Sequence, residues 1–289
     1  MVFYSDMETV LYFLVGLAGI GLLGFLYFEN KSIIVRRHLL KFEFLSKEFD
    51  GFTIVHLSDL HSKWFGKDQR HLVFEVTQAK PDIIAITGDM VDHLLFKEEP
   101  VITLIKKLKA IAPIYCVSGN HEWSRPEYPA LHQRLIDLGV QVLDNRVETI
   151  MRSDARIAIA GIDDYARYAG EIDPQKTIHR ELAAVRSMVD ERAFKILLVH
   201  RPEWLREYME HHFSVIFAGH AHGGQWNLPI LGPIFAPGQG LFPKLVSGIH
   251  KRHNTYMVIS RGLGNSGILA FQRLFNRPEV VIVVLKKIM

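Results

Sequence analysis

The stretch Gly219-His220-Ala221-His222-Gly223-Gly224-Gln225 follows an apolar run, 214–218, that reads as a short buried strand. Two histidines sit two apart, flanked by glycine. Glycine lets the backbone turn sharply and leaves space beside the imidazoles. Imidazole is a common ligand for zinc, iron and manganese-like ions. A histidine pair alone decides little, so the weight falls on what the other strand ends supply.

Elsewhere in the chain, apolar runs repeatedly stop at a polar residue able to bind a metal. Residues 52–57 end at Ser58-Asp59-Leu60-His61, 82–87 at Gly88-Asp89, 113–118 at Gly119-Asn120-His121-Glu122, and 195–199 at His200. Helical periodicity or length places helices over 67–79, 98–111, 126–138 and 172–192. Shorter strands are expected at 140–143, 147–151 and 156–160, with 255–260 and 279–285 closing the chain and an edge strand near 39–44. Alternating strands and helices indicate an α/β domain, and ligands of α/β sheets bind beyond the carboxyl ends of strands.

The candidate ligands are therefore Asp59, His61, Asp89, Asn120, His200, His220 and His222. They offer oxygen and nitrogen without thiolate, which suits Mn, Fe or Zn. Asp59 and His61, two apart, are expected to point the same way along an extended chain. Asp89 follows a glycine and is placed to bridge. Seven donors exceed what one tetrahedral ion needs and fit a two-ion site that shares Asp89.

These blocks, Asp59-x-His61, Gly88-Asp89-x-x-Asp92, Gly119-Asn120-His121-Glu122, His200 and Gly219-His220-x-His222, resemble the calcineurin-like metallophosphoesterases in content and order. The resemblance implies a four-layer αββα sandwich. It implies that Asp59, His61 and His222 hold one divalent ion and Asn120, His200 and His220 the other, with Asp89 between them. It implies hydrolysis of a phosphoester, the two ions lying about 3.5–4 Å apart. His121 would face the leaving oxygen as proton donor or charge stabiliser. Asp92 either orients His121 or is an exposed acid after a strand end. Arg201-Pro202, Gly223-Gly224-Gln225 and Ser260-Arg261-Gly262-Leu263-Gly264 look like those of a membrane-associated bacterial subgroup.

The rest of the composition agrees. Of 289 residues, 48% are apolar, and the mean hydropathy is slightly positive. Residues 9–28 carry no charge and are long enough for a bilayer core. A buried core helix or a cleaved signal peptide are the alternatives, but a polar face and an N-terminal Lys or Arg are both missing. Asp6 and Glu8 precede this segment, and Lys31, Arg36, Arg37 and Lys41 follow it. The positive-inside rule then places the catalytic domain in the cytoplasm of a single-pass membrane protein. The expected division is an anchor and flank over 1–35 and a metallophosphoesterase domain over 36–289. A net charge of +3 does not argue for nucleic acid, and a single cysteine, Cys116, excludes an intrachain disulfide.

Some residues keep two readings. His56 is either a neighbour of the site or an ordinary strand residue. Asp163 and Asp164 either reach the rim or form a solvated turn, the turn being expected. The apolar segment 226–243 either packs on the sandwich or stays exposed beside the metals as an interaction surface. Anchor and loop together suggest an amphipathic, lipid-linked phosphoester or pyrophosphate such as UDP-2,3-diacylglucosamine. The alternative is a broad phosphodiesterase or phosphatase on soluble substrates. A non-catalytic scaffold would be expected to have lost ligands or His121, and none is missing.

Overall fold

The computed structural model describes residues 2–168, 173–265 and 273–288. Helix α1, Val2–Lys31, extends past both ends of the apolar segment. It is long and apolar enough to cross a membrane. Its side chains are exposed from Met7 to Gly24, half-buried at Phe25 and Leu26, and buried at Glu29 and Asn30. A core helix of the domain would be covered along its length, so the exposed part is not core.

Strand β1, Ile34–Phe42, follows at once, so pairing begins two residues before residue 36, the expected start of the soluble part. The chain continues through β2 (Thr53–Leu57), α2 (Arg70–Ala79), β3 (Ile83–Thr87), α3 (Glu99–Leu108), β4 (Ile114–Val117), α4 (Asn120–Trp123), α5 (Tyr128–Asp137) and β5 (Gln141–Val142). A second half contains β6 (Arg146–Arg152), β7 (Ala155–Gly161), α6 (Pro174–Met188), β8 (Phe194–Leu198), α7 (Leu205–Met209) and β9 (Val215–Ala218). Ile172, the expected start of the α6 helix, lies outside the described residues. Segment 226–243 forms two small hairpins from β10 (Asn227–Leu228), β11 (Gly232–Pro233), β12 (Phe235–Ala236) and β13 (Gly240–Leu241). Strands β14 (Gly248–Arg252), β15 (Thr255–Ile259) and β16 (Glu279–Lys287) complete the chain. Strand β14 was not anticipated, because its sequence Gly-Ile-His-Lys-Arg has no apolar alternation to reveal it.

Two six-stranded sheets result, ordered β1-β16-β2-β3-β4-β5 and β14-β15-β9-β8-β7-β6. Alternate residues of each strand face opposite sides, and the sides are apolar for different reasons. Ile54, Ile83, Val117, Ile157, Leu198 and Phe217 meet between the sheets. Val55, Ile84 and Cys116 face Leu72, Leu104 and Leu131 of α2, α3 and α5. Ala158, Leu197 and Ile216 face Leu182 and Val185 of α6, and Tyr208 of α7. This is an αββα sandwich, and its doubly buried strands explain the near-continuous apolar runs.

Strand direction locates the site. Strands β2 to β5 are mutually parallel, as are β7, β8, β9 and β15. Strand β16 is antiparallel to β2 and parallel to β1. Val281 pairs with His56 and Ile34 with Glu279, so Ile34 lies level with Ser58, the residue before Asp59. Helix α1 therefore joins the domain at the rim where β2, β3 and β4 end.

His56 faces the inter-sheet layer, its Nε2 2.8 Å from Thr87 Oγ1 and its ring 5.1 Å from Phe217. It is a strand residue within the core. Burial pushes its pKa down to about 3. The unfolded chain, with an ordinary imidazole near 6.5, then binds a proton that the fold excludes. This contribution to stability is complete above pH 6.5 and is lost as pH falls toward 3. His56→Leu should flatten the acid limb of a stability-versus-pH curve in that window by about one proton, measured by chemical denaturation of the detergent-solubilised protein.

Candidate metal centre

The ends of β2, β3 and β9 turn sharply before presenting their side chains. Asp59, His61, Asp89, His220 and His222 all adopt left-handed backbone angles, with φ between 47° and 63°. Such residues cost of order 1–3 kcal/mol each and persist where the surroundings over-determine them. Asp59 and His61 thus converge through consecutive turns, and the expectation of an extended chain between them is corrected. Gly219 is needed for space: an added Cβ would overlap Ser58 Oγ and Asp59 Oδ2. That close approach lets the His220 backbone N–H donate to both Asp59 oxygens at 3.1 Å.

The side chains form connected groups. Among the described residues, Asp59, His61, Asp89 and His222 gather in one, Asp89, His200 and His220 in another, and His61, Asp92 and His121 in a third. Asp89 belongs to the first two. Within them, His61 Nε2 lies 3.1 Å from His222 Nε2, and His200 Nε2 lies 3.1 Å from His220 Nδ1. Asn120 Oδ1 is 3.2 Å from His200 Nε2, and Asp89 Oδ2 is also 3.2 Å from that nitrogen. Asn120 is half-buried, while the other six are buried. All seven expected ligands are brought together.

The donor set fits divalent cations. Two ring nitrogens 3.1 Å apart need a proton or a cation between them, since facing lone pairs repel. Burial, and then the neighbouring imidazoles, hold His220 and His222 well below the usual histidine range, which leaves their lone pairs free to ligate. For His200, burial opposes protonation, but the Asp89 carboxylate outweighs it and raises the pKa to about 10. Asp89 is correspondingly held down by His200 despite its burial, whereas burial raises Asp59. A divalent cation between Asp89 and His200 would take the place of that proton.

Glu122 is the main participant that the sequence reading left without a role. Its buried carboxylate accepts from the backbone N–H groups of Asp89 (2.8 Å), Met90 (2.7 Å), Val91 (3.1 Å) and Gly119 (2.8 Å). It clamps the β3 turn to the β4 turn and so fixes Asp89 beside Asn120. The local signal was present: an acid three residues after the glycine that opens α4 is a helix-start signature.

His121 lies at the same rim. Its Nδ1 accepts from the His93 backbone N–H at 3.0 Å, which leaves the neutral ring's proton on Nε2. That Nε2 lies 3.8 Å from Asp89 Oδ2 and faces the ligand cluster. Burial lowers the His121 pKa to about 4. Asp92 is buried rather than exposed. Its Oδ2 is 3.3 Å from His61 Nδ1 and 3.8 Å from His121 Nδ1, and its Oδ1 accepts from Leu94 and Leu95 N–H. His93 thus faces His121 Nδ1 with both its backbone N–H and its ring Nδ1, each at 3.0 Å, and Asp92 stands nearer His61.

Asp163 and Asp164 are buried, which corrects the expected solvated turn. Asp163 accepts from Ser118 Oγ at 2.7 Å and pairs with Arg167. Asp164 pairs with Arg201, whose Nη1 reaches to 3.2 Å from His220 Nε2. Arg167 is a local partner, four residues after Asp163, whereas Ser118 and Arg201 come from the residues just after β4 and β8 and give no local sign.

A family model for calcineurin-like phosphoesterases matches residues 52–224, the span that holds every residue of this centre. The chain belongs to the calcineurin-like phosphoesterase family. This phosphoesterase is 31% identical to the metallophosphoesterase YkuE of Bacillus subtilis, over 90% of this chain and 88% of that one. It is 26% identical to the phosphodiesterase YaeI of Escherichia coli, over 81% and 82%. It is also 26% identical to a transmembrane protein with a metallophosphoesterase domain from Danio rerio, over 85% of this chain and 55% of that protein. The chain is a metal-dependent phosphoester hydrolase that binds divalent cations.

Removing the Glu122 carboxylate would strand four backbone donors. Glu122→Ala should destabilise the phosphoesterase by about 3–5 kcal/mol and abolish cation-dependent hydrolysis. Denaturant unfolding and an aryl phosphate assay check both; a fully stable variant would contradict the clamp.

Proposed function

We propose that the phosphoesterase holds two divalent ions of the Mn, Fe or Zn type, one on Asp59, His61 and His222 and one on Asn120, His200 and His220, with Asp89 shared. The supporting observation is the membership of Asp89 in two buried groups, each with its own imidazoles. When bound, such ions polarise phosphoryl oxygens and activate water near neutral pH. Asp59 and Asp89 together supply two negative charges, so two divalent ions leave a positive site that attracts phosphate. His121 presents its Nε2–H to the leaving oxygen and stabilises the charge developing there by a hydrogen bond. The His93 backbone N–H fixes that tautomer. Asp92, 3.3 Å from His61 Nδ1, steadies the His61 imidazole.

The substrate is an amphipathic phosphoester or pyrophosphate presented at the cytoplasmic face of the membrane, with UDP-2,3-diacylglucosamine as the candidate. Two features support a membrane-borne substrate. Helix α1 joins the domain at the rim of the candidate ligands. The hairpins that follow His222 expose Trp226, Ile230, Leu231, Leu241 and Phe242, while Ala236 packs beneath them on Ala221 and Val246. Placement in the cytoplasm rests on the basic residues after α1. The likeness to the phosphodiesterase YaeI favours a second reading, a broad hydrolase of soluble phosphodiesters.

His121→Ala should lower kcat by about 10²–10³-fold while metal content stays unchanged; undiminished turnover would refute its role at the leaving oxygen. Assay of the purified protein with Mn²⁺ against the nucleotide-linked lipid and against aryl phosphodiesters separates the substrates. Preferred cleavage of the lipid is expected, and equal or better turnover of the soluble esters with no lipid cleavage would sink the lipid assignment.

A further inference from the structure

The buried end of α1 does more than tether. Glu29 Oε2 accepts the Asn276 backbone N–H at 2.9 Å. The Asn276 side-chain amide in turn donates to the carbonyls of His222 at 2.6 Å and Gln225 at 3.0 Å. Asn276 fits so closely that a Cβ on Gly223, which sits at φ 60°, would overlap its side chain. The next residue of the helix, Asn30, exchanges two hydrogen bonds with the Arg273 backbone, at 3.0 and 3.1 Å. The Arg273 guanidinium donates to Gly264 O at 2.6 Å and lies 3.5 Å from His222 Nδ1. On the other side, Lys63 Nζ, two residues after His61, donates to the Asn30 carbonyl at 2.6 Å.

The foot of the helix therefore touches the His222 turn through Asn276 and Arg273, and the His61 turn through Lys63. Glu29, Asn30, Arg273 and Asn276 are all buried. Unpaired, these polar groups would each carry a desolvation cost, so their contacts hold one arrangement. The contacts of the described residues join the foot to the two turns assigned above to one ion, and the His200 and His220 side has no such link among them.

We infer that the end of the membrane helix is a positioning element for one half of the metal centre: Glu29 and Asn30, acting through Asn276, Arg273 and Lys63, set the turns that carry His222 and His61. This rests on the two-ion reading above. Removing groups that orient metal ligands costs about 10–100-fold in metal affinity. The helix thus couples seating in the membrane to loading of that ion.

The test is a Mn²⁺ titration of the full-length chain in detergent micelles, followed by calorimetry. Asn276→Ala and Glu29→Ala should each weaken one of two Mn²⁺ sites by about 10–100-fold and leave the other unchanged. Glu29→Gln, which keeps an oxygen to accept the Asn276 N–H, should restore near-normal binding. Glu29 lies off the centre, so its variants keep the question open to measurement if Asn276→Ala does not fold. Unchanged affinity at both sites, even with a lowered melting temperature, would overturn the inference, as would equal weakening of both. Failure of the unaltered chain to bind Mn²⁺ would overturn this inference and the two-ion reading together.

Discussion

The structure depends on the placing of one carboxylate. Asp89 is buried between two sets of imidazoles at the rim where the sheets end. Charge buried in this way is costly unless matched by opposite charge and hydrogen bonds. Much of the surrounding architecture supplies that match. His200 lies 3.2 Å from one of its oxygens, and the His121 backbone N–H donates to the other at 2.9 Å. Glu122 fixes the Asp89 backbone from behind, and burial beside Asp89 raises the Glu122 pKa to about 7. The left-handed angles at the ligand turns reflect the same demand, since side chains from strand ends in both sheets must reach one small volume.

Much of this was legible in the sequence. The strands of the αββα sandwich are covered on both faces, so they read as apolar runs, and each run stops at its polar residue. The spacing of Asp59, His61, Asp89, Asn120, His200, His220 and His222 carried the cluster. What the sequence did not carry was long-range partnership. Asp164 looked like a turn residue because Arg201, 37 positions away, gives no local sign of pairing with it. Arg273 and Asn276 form no motif, and their partners Glu29 and Asn30 lie more than 240 positions earlier. Conformation was misjudged at Asp59 and His61 because period-two reasoning assumes a strand, and the strand stops at Leu57.

The end of α1 and the start of β16 meet at the functional rim. Strand β16 runs against β2, and β1 runs with β16, so the helix before β1 must arrive where the metal-facing turns are. A reversed β1 would have put the same helix at the opposite end of the sandwich. Topology, rather than a flexible linker, thus decides how the phosphoesterase chemistry sits relative to α1. The exposed hairpins after His222 lie on this side too, joined to the helix foot through the segment from Arg273 to Arg277. Phe275 of that segment packs on Phe25 of α1, with ring centroids 5.4 Å apart.

The central claim is a pair of cations sharing Asp89. Anomalous diffraction from crystals of the phosphoesterase loaded with Mn²⁺ tests it most directly. The account predicts two peaks about 3.5–4 Å apart, one beside His61 and His222 and one beside His200 and His220, with Asp89 between them. A single peak, or two that do not flank Asp89, would contradict it.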